Sequence, residues 1–230
     1  MANKMTSEEI IIEIRNLSKI YSDGVDVYAL DSINLEIHKG EFLAIVGPSG
    51  SGKSTLLHII GILDTPTRGS IFIAGNDVSQ MPDKDRSRIR NQVLGFVFQY
   101  HHLMPDFTAL ENVMMPLLIA GRTREEATRM ANELLAEVGL EDRIDHRPTQ
   151  LSGGQNQRVA VARALANSPA IVIGDEPTGN LDTKSSEKIY ELIRRLNREH
   201  GQTFILVSHD EALARKADRV IHIVDGKIAE

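Results

Sequence analysis

Apolar residues fall along this chain in two rhythms. Short runs recur at IIIEI (10–14), INLEI (33–37), FLAIV (42–46), SIFIA (70–74), GFVF (95–98), AIVIG (170–174), FILV (204–207) and RVIHIV (219–224), and their length and composition predict strands. The outer runs alternate apolar with polar positions. FLAIV, AIVIG and FILV are instead apolar throughout, as strands covered on both faces of a parallel sheet must be, and helical patterns separate them. The second rhythm lies between residues 99 and 150, where no such run appears. Ala127, Met130, Ala131, Leu134, Leu135 and Val138 recur there at i, i+3, i+4, i+7 spacing, which predicts an amphipathic helix over 124–138. Thr123 and Glu126 form a capping box before it, and Gly139 closes it. No repeat or low-complexity stretch interrupts the pattern. It predicts one unit over 10–230: an α/β body made of 10–98 and 152–230, with a helical lobe over about 99–151 inserted into it.

The strand FLAIV runs directly into GPSGSGKS (47–54), and TLLHIIGIL follows at a spacing that suits a helix. Strand, loop and helix in that order are the setting that G-x-x-x-x-G-K-[ST] requires. In such a loop the glycines let backbone N–H groups turn inward around phosphate oxygens, and the helix start adds its partial positive charge. Lys53 is expected to reach the β- and γ-phosphates and Ser54 to ligate Mg2+. The candidate nucleotide-binding residues are Gly47, Pro48, Ser49, Gly50, Ser51, Gly52, Lys53, Ser54 and Thr55, with ATP and Mg2+ as cofactors. AIVIGDEP ends a buried strand in Asp175 and Glu176, where α/β sheets place their ligands. An aspartate there suits the Mg2+ shell, and a neighbouring carboxylate suits the orientation and deprotonation of an attacking water. Three further residues have two readings each. His209, after FILV, suits a hydrogen bond to the γ-phosphate or a structural role. Gln99, after GFVF, suits a ligand for Mg2+ and the lytic water or a loop cap. Tyr21, in LSKIY, suits stacking on adenine or ordinary packing.

A second glycine-rich stretch, LSGGQ (151–155), precedes the apolar-periodic RVAVARALA. Ser152 and Gln155 form a capping box for that helix. The box does not account for Gly153 and Gly154, each of which costs about 1 kcal/mol against alanine in a helix. What they supply is open backbone N–H at a helix start, a second anion site. Because the first loop already surrounds one nucleotide's phosphates from its own side, LSGGQ is predicted to contact the γ-phosphate of an ATP held by another copy. Two nucleotides are then closed between two chains in a head-to-tail pair.

Composition narrows the partners. The chain has 230 residues, 41% of them hydrophobic, enough to bury a sizeable core. A formal charge of -6, spread along the sequence, argues against a nucleic-acid surface. Without cysteine there is no disulfide, thiolate zinc site or cysteine nucleophile. The opening MANKMTSEEIIIEIRN puts acidic residues where a signal peptide needs basic ones. Apolar runs such as MMPLLIAG fall short of the roughly 20 residues that cross a membrane, so any membrane role is expected to come through a partner.

Assembled, these residues resemble the ATP-binding cassette family, the nucleotide-binding subunits of ABC transporters, from about residue 12 to residue 227. The resemblance implies a P-loop NTPase of ABC type: a RecA-like core, an antiparallel β-subdomain, and an inserted helical lobe that rests on integral membrane permease subunits. It makes Tyr21 the adenine-stacking aromatic, 47–54 the Walker A loop, Gln99 the Q-loop, and 151–155 the signature. By the same likeness 171–175 is the Walker B strand, Glu176 the general base, 180–182 the D-loop ending in Asp182, and His209 the switch histidine. It also implies an ATP-dependent homodimer on the cytoplasmic face of the inner membrane. Within the family, FQYHHLMPDFTALENVMMPLLI (98–119) and DEPTGNLD (175–182) resemble the lipoprotein-releasing ATPases, with macrolide-type efflux and cell-division ATPases as near relatives. Two residues depart from the family pattern: Asn156, where glutamine or arginine is usual, and Gly174, where alanine is usual. Soluble cassettes acting on DNA or ribosomes generally carry two cassettes or a coiled-coil insertion, and this chain has neither. A small-molecule P-loop kinase would leave LSGGQ and His209 unused.

Overall fold

Strand pairing divides the chain between two sheets. The computed structural model describes residues 9–22 and 24–229; the first eight residues, read above for a leader, Asp23 and Glu230 lie outside them. β1 (Ile10–Ser22), β2 (Asp26–His38), β4 (Arg68–Ile73) and β5 (Asn76–Asp77) form an antiparallel sheet in the order β2-β1-β4-β5. IIIEI and INLEI mark only one end of the β1–β2 ladder. The register shifts between Ile14 and Leu17 and again before Ile20, and Asn16 and Ser32 take positive φ. Each such bulge resets which side chains face inward, so the apolar alternation lapses while the pairing continues.

The second sheet runs β10-β9-β3-β8-β7-β6. It comprises β3 (Phe42–Val46), β6 (Leu94–Phe98), β7 (Ile171–Asp175), β8 (Thr203–Val207) and β9 (Arg219–Val224), all parallel, with β10 (Lys227–Ala229) antiparallel on one edge. The fully apolar runs occupy its centre, and every residue of β3 and β8 is buried. Alternate side chains serve opposite faces. Leu43, Ile45, Ile171, Ile173, Ile205 and Val207 pack with α1 (Lys53–Ile60) and the inner face of the antiparallel sheet. Phe42, Val172, Phe204 and Leu206 pack with α5 (Gly153–Leu165), α6 (Thr183–His200) and the helices of the segment between β6 and β7. Each such fully buried aliphatic side chain contributes about 1.5–3 kcal/mol of transfer free energy, so both faces hold the sheet.

Between β6 and β7 the described residues contain no strand. They form α3 (Ala109–Ile119), α4 (Arg124–Glu137) and a 3₁₀ turn (Pro148–Gln150) before α5. The capping box of Thr123 and Glu126 forms as expected, and Gly139 follows α4 at φ +70°. No pattern in the sequence announced α3, because an internal proline reads as a helix stop. Pro116 sits inside it nonetheless, behind a capping box of Thr108 and Glu111. The Pro116 carbonyl accepts from Ala120 N–H at 3.0 Å and from the side-chain amides of Asn91 at 3.2 Å and Asn167 at 3.0 Å, which fastens the lobe to α2 (Asp83–Val93) and to the end of α5.

A polar clip closes the far side. Arg194 of α6 forms a bidentate pair with Asp218, and its guanidinium lies 5.0 Å from the Phe42 ring centre. Asp218 also accepts the Phe42 N–H at 3.0 Å, so α6 and the starts of β3 and β9 are joined. Hydrogen bonding from Arg194 holds the Asp218 carboxyl below its ordinary value despite partial burial. A depressed folded-state pKa stabilises above the unfolded value and loses that effect as pH falls through the folded one. Asp218→Asn is therefore expected to cost about 1 kcal/mol at neutral pH after allowance for solvent screening, a fall of about 2–4 °C in Tm. In thermal unfolding against pH, the gap to the parent chain should shrink below about pH 4.

Candidate functional site

The phosphate loop begins where β3 ends, at the middle of the parallel sheet. Gly52 opens α1 at φ +105°, and a Cβ there would stand 2.3 Å from the Ala29 carbonyl oxygen, so only glycine fits. Gly47 is held as closely: its Cβ would lie 2.1 Å from the Ile223 carbonyl oxygen. The side chains of Thr108, Thr123, Ser152, Asp182 and Asp210 cap the N-termini of α3, α4, α5, α6 and α7 (Glu211–Ala214), whereas α1 has no side-chain cap. The first N–H groups of α1, on Lys53, Ser54 and Thr55, have no intrahelical acceptor and carry the positive end of the dipole. Lys53 is buried, and its Nζ donates to the Gly47 carbonyl at 2.9 Å and the Pro48 carbonyl at 2.7 Å. Two of its three donors thus fix the ammonium over the loop and leave the third for an anion. Pro48, Ser49 and Gly50 form the exposed rim. Ser51 is buried, and its carbonyl accepts the Gly226 N–H at 2.9 Å.

Register assembles the rest. Asp175 on β7 lies opposite Phe98 on β6 and Val207 on β8, so Gln99, Glu176 and Ser208 leave three adjacent strands side by side. Burial pushes the Asp175 carboxyl up, while His58, Lys53 and His209 pull it down. Glu176 takes the left-handed conformation at φ +48°, pinned by its N–H on the Val207 carbonyl at 3.1 Å. Backbone strain of this kind clusters at functional sites. The Glu176 carboxylate lies 2.5 Å from His209 Nε2. Gln99 Nε2 donates to Asn180 Oδ1 at 3.1 Å, and Asn180 Nδ2 returns a bond to the Gln99 carbonyl at 3.2 Å. Gly179 backs both groups: a Cβ there would approach Gln99 Nε2 to 2.8 Å and Glu176 Oε2 to 3.3 Å. The sequence marked Asn180 and Gly179 as members of a segment, and their side-chain and packing roles emerge only from the fold.

The Ser54 hydroxyl, the Gln99 amide oxygen and the Asp175 carboxylate are hard oxygen donors that fit Mg2+, which typically takes one or two carboxylates and completes its shell with phosphate and water. Among the described residues no group of three or more His, Cys, Asp or Glu could hold a metal by itself. Tyr21 stands at the end of β1, half exposed, with its hydroxyl on Asp64 at 3.0 Å and Lys19 Nζ 5.0 Å from its ring.

The Ser152–Gln155 capping box is present: Ser152 N–H donates to Gln155 Oε1 at 2.8 Å, and Gln155 N–H to Ser152 Oγ at 3.3 Å. Gly153 and Gly154 have ordinary helical backbone, and a Cβ at 154 would meet nothing closer than Ser185 at 3.9 Å. Conformation does not demand glycine at 154, so exposed backbone is what it adds. Ser152, Gly154 and Gln155 line a hollow of about 440 Å3 with Arg158, Ser185 and Lys188, and no residue of the phosphate loop or of the Glu176 cluster belongs to it. Asp182 is occupied within the chain as the cap of α6, accepting from Ser185 through both carboxylate oxygens. The two departures have local partners. A methyl on Gly174 would stand 2.5 Å from Leu206 Cδ2, so leucine fills the space. Asn156 donates to the Pro148 carbonyl at 3.0 Å and ties α5 to the preceding turn.

Residues 30–179 match the family model described as ABC transporter. A lipoprotein-releasing system ATP-binding protein LolD from Geobacter metallireducens is 52% identical over 221 residues, covering 95% of this chain and 97% of that protein. LolD of Pseudomonas fluorescens is 50% identical over 223 residues, with coverage of 96% and 98%. The dimeric structure of a post-hydrolysis state of the ATP-binding cassette MJ0796 bound to ADP and Pi superposes with a TM-score of 0.88 at 46% identity, over 95% of this chain and 97% of that one.

The contacts behind Gly179 make a sharp test of the cluster. Gly179→Ala is expected to displace the Gln99 amide and the Glu176 carboxylate, and since a misplacement of about 1 Å costs on the order of 100-fold in rate, turnover should fall by at least about tenfold. ATP affinity, measured by equilibrium binding, should stay within about twofold because the phosphate loop is untouched.

Proposed function

This chain belongs to the ABC transporter family as an ATP-binding subunit, and within it we propose that two copies close around two ATP molecules and hydrolyse them to drive membrane permease subunits in releasing lipoproteins from the inner membrane. The observation that carries the reading is the separation of two glycine-bearing helix starts within one chain. One lies at the uncapped α1 with Lys53 over it, the other at Ser152–Gly154 on a hollow that shares no residue with it. Each half-site is completed by the opposite copy, in keeping with the dimeric cassette to which this fold is similar.

In that scheme Lys53 and the loop amides of one copy, and Ser152 and Gly154 of the other, grip the same triphosphate, with Tyr21 on the adenine. The Ser152 hydroxyl accepts from Gln155 and retains its own proton to donate. A ligand shifts an equilibrium only through differential affinity, so the γ-phosphate separates closed from open, at about 1.4 kcal/mol for each tenfold change in population. Mg2+, held by Ser54, Gln99 and Asp175, would neutralise charge on the β- and γ-phosphates. Glu176, held in place by its strained backbone, takes the proton of the in-line water. In this scheme His209, with its Nε2 2.5 Å from the Glu176 carboxylate, turns to the γ-phosphate.

Among the described residues no helix is long and apolar enough to cross a membrane; in this reading translocation belongs to the membrane partner, and the chain works as a peripheral subunit at the cytoplasmic face. An apolar cleft of about 310 Å3 beside Gln99, lined by Phe98, Met104, Met115 and Ile119, gives the permease a place to press. A net charge of -6 supplies no reason to invoke nucleic acid.

Glu176→Gln is expected to keep ATP binding, arrest turnover, and give an ATP-dependent dimer in size-exclusion chromatography. Monomer alone, with ATPase activity persisting, would overturn the scheme. Ser152→Arg should abolish that dimer in the Glu176→Gln background while ATP affinity of the single chain holds within about twofold, since the two half-sites are separate.

A further inference from the structure

Directly after Gln99 the chain makes a turn that its own residues do not favour. His101 and His102 stand at φ +59° and +48°, two consecutive residues with a Cβ in the left-handed region, a conformation that persists only where the surroundings impose it. Local bonds are few: His101 N–H to the Phe98 carbonyl at 3.1 Å and His102 N–H to the Tyr100 carbonyl at 2.6 Å. The imposing group comes from α5. Arg163 donates from one guanidinium nitrogen to the His101 carbonyl and from the other to the His102 carbonyl, each at 2.7 Å. Burial lowers the guanidinium's pKa without removing its charge, and the fork reaches two successive carbonyls at once, which a lysine ammonium does not reproduce. The turn is thus held to α5 by a side chain near that helix's last turn.

We propose that Arg163 is a positioning residue for ATP hydrolysis: its fork imposes the left-handed turn of His101 and His102, and that turn fixes where Gln99 stands. The inference rests on the dimeric reading above, in which Gln99 serves the nucleotide held by its own chain and Ser152 serves the partner's. Arg163 then acts on the first of these through the placement of Gln99. It touches neither nucleotide.

The test is a double-mutant cycle on the full chain with Mg-ATP, combining Arg163→Lys with His101→Gly/His102→Gly. Glycine adopts the left-handed region as readily as the right-handed one, so it needs no clamp to hold the turn. Arg163→Lys alone is expected to lower kcat about tenfold with KM within about twofold. In the glycine background the same substitution should cost less than about threefold. An equal loss in both backgrounds, or no loss in either, overturns the proposal, because a filler of the core would not be relieved by glycine in a neighbouring turn. The glycine pair with Arg163 intact is a second, independent readout that does not require the lysine variant to fold. It should retain kcat within about twofold, and a loss of about tenfold counts against the clamp. Failure of the Glu176→Gln chain to dimerise with ATP would instead sink the dimeric reading, a result separate from either limb of the cycle.

Discussion

The register of three buried parallel strands governs everything at the active end. With Phe98, Asp175 and Val207 aligned across β6, β7 and β8, the next residues of three distant segments emerge together, and Gln99, Glu176 and His209 need no long loops to meet. A slip of one residue in any of these strands would turn its side chains to the opposite face. Both faces are packed with large apolar groups, so such a slip is prohibitively expensive. Burial on two sides therefore sets the precision of the site.

The same logic explains which parts were legible in the sequence. β3, β7 and β8 declared themselves because double-sided burial requires uninterrupted apolar residues. The boxes at Thr123 and Ser152 did so because capping is local chemistry within one turn. The phosphate loop was readable because strand, loop and helix are adjacent in the chain. What escaped had non-local causes. β1 and β2 run past their apolar cores through bulges, and β5 and β10 are too short to show a period. α3 hides behind Pro116. The bonds between Gln99 and Asn180 and from Arg163 to the histidine turn join residues far apart in sequence. Gly174 looked like a simple departure from its family, yet the fold pairs it with the reach of Leu206.

Capping separates the helix starts. At α3, α4, α6 and α7 a threonine or aspartate side chain accepts from a first-turn amide, and α2 begins after Pro82 with no side-chain cap. At α1 a glycine leaves those amides open, and at α5 the serine accepts from Gln155 and two glycines follow it. The unsatisfied donors make the phosphate loop receptive to a strongly charged ligand, at a cost to the unliganded fold that a tight grip on triphosphate offsets.

Pro116 anchors the helical lobe. Its carbonyl, already bonded along α3, also receives amides from Asn91 and Asn167, so three segments converge on a single oxygen. An imino acid that ordinarily interrupts a helix serves here as a mooring. One atom holds the stretch before the lobe and the stretch after it to the same helix, so α3 cannot shift without disturbing both.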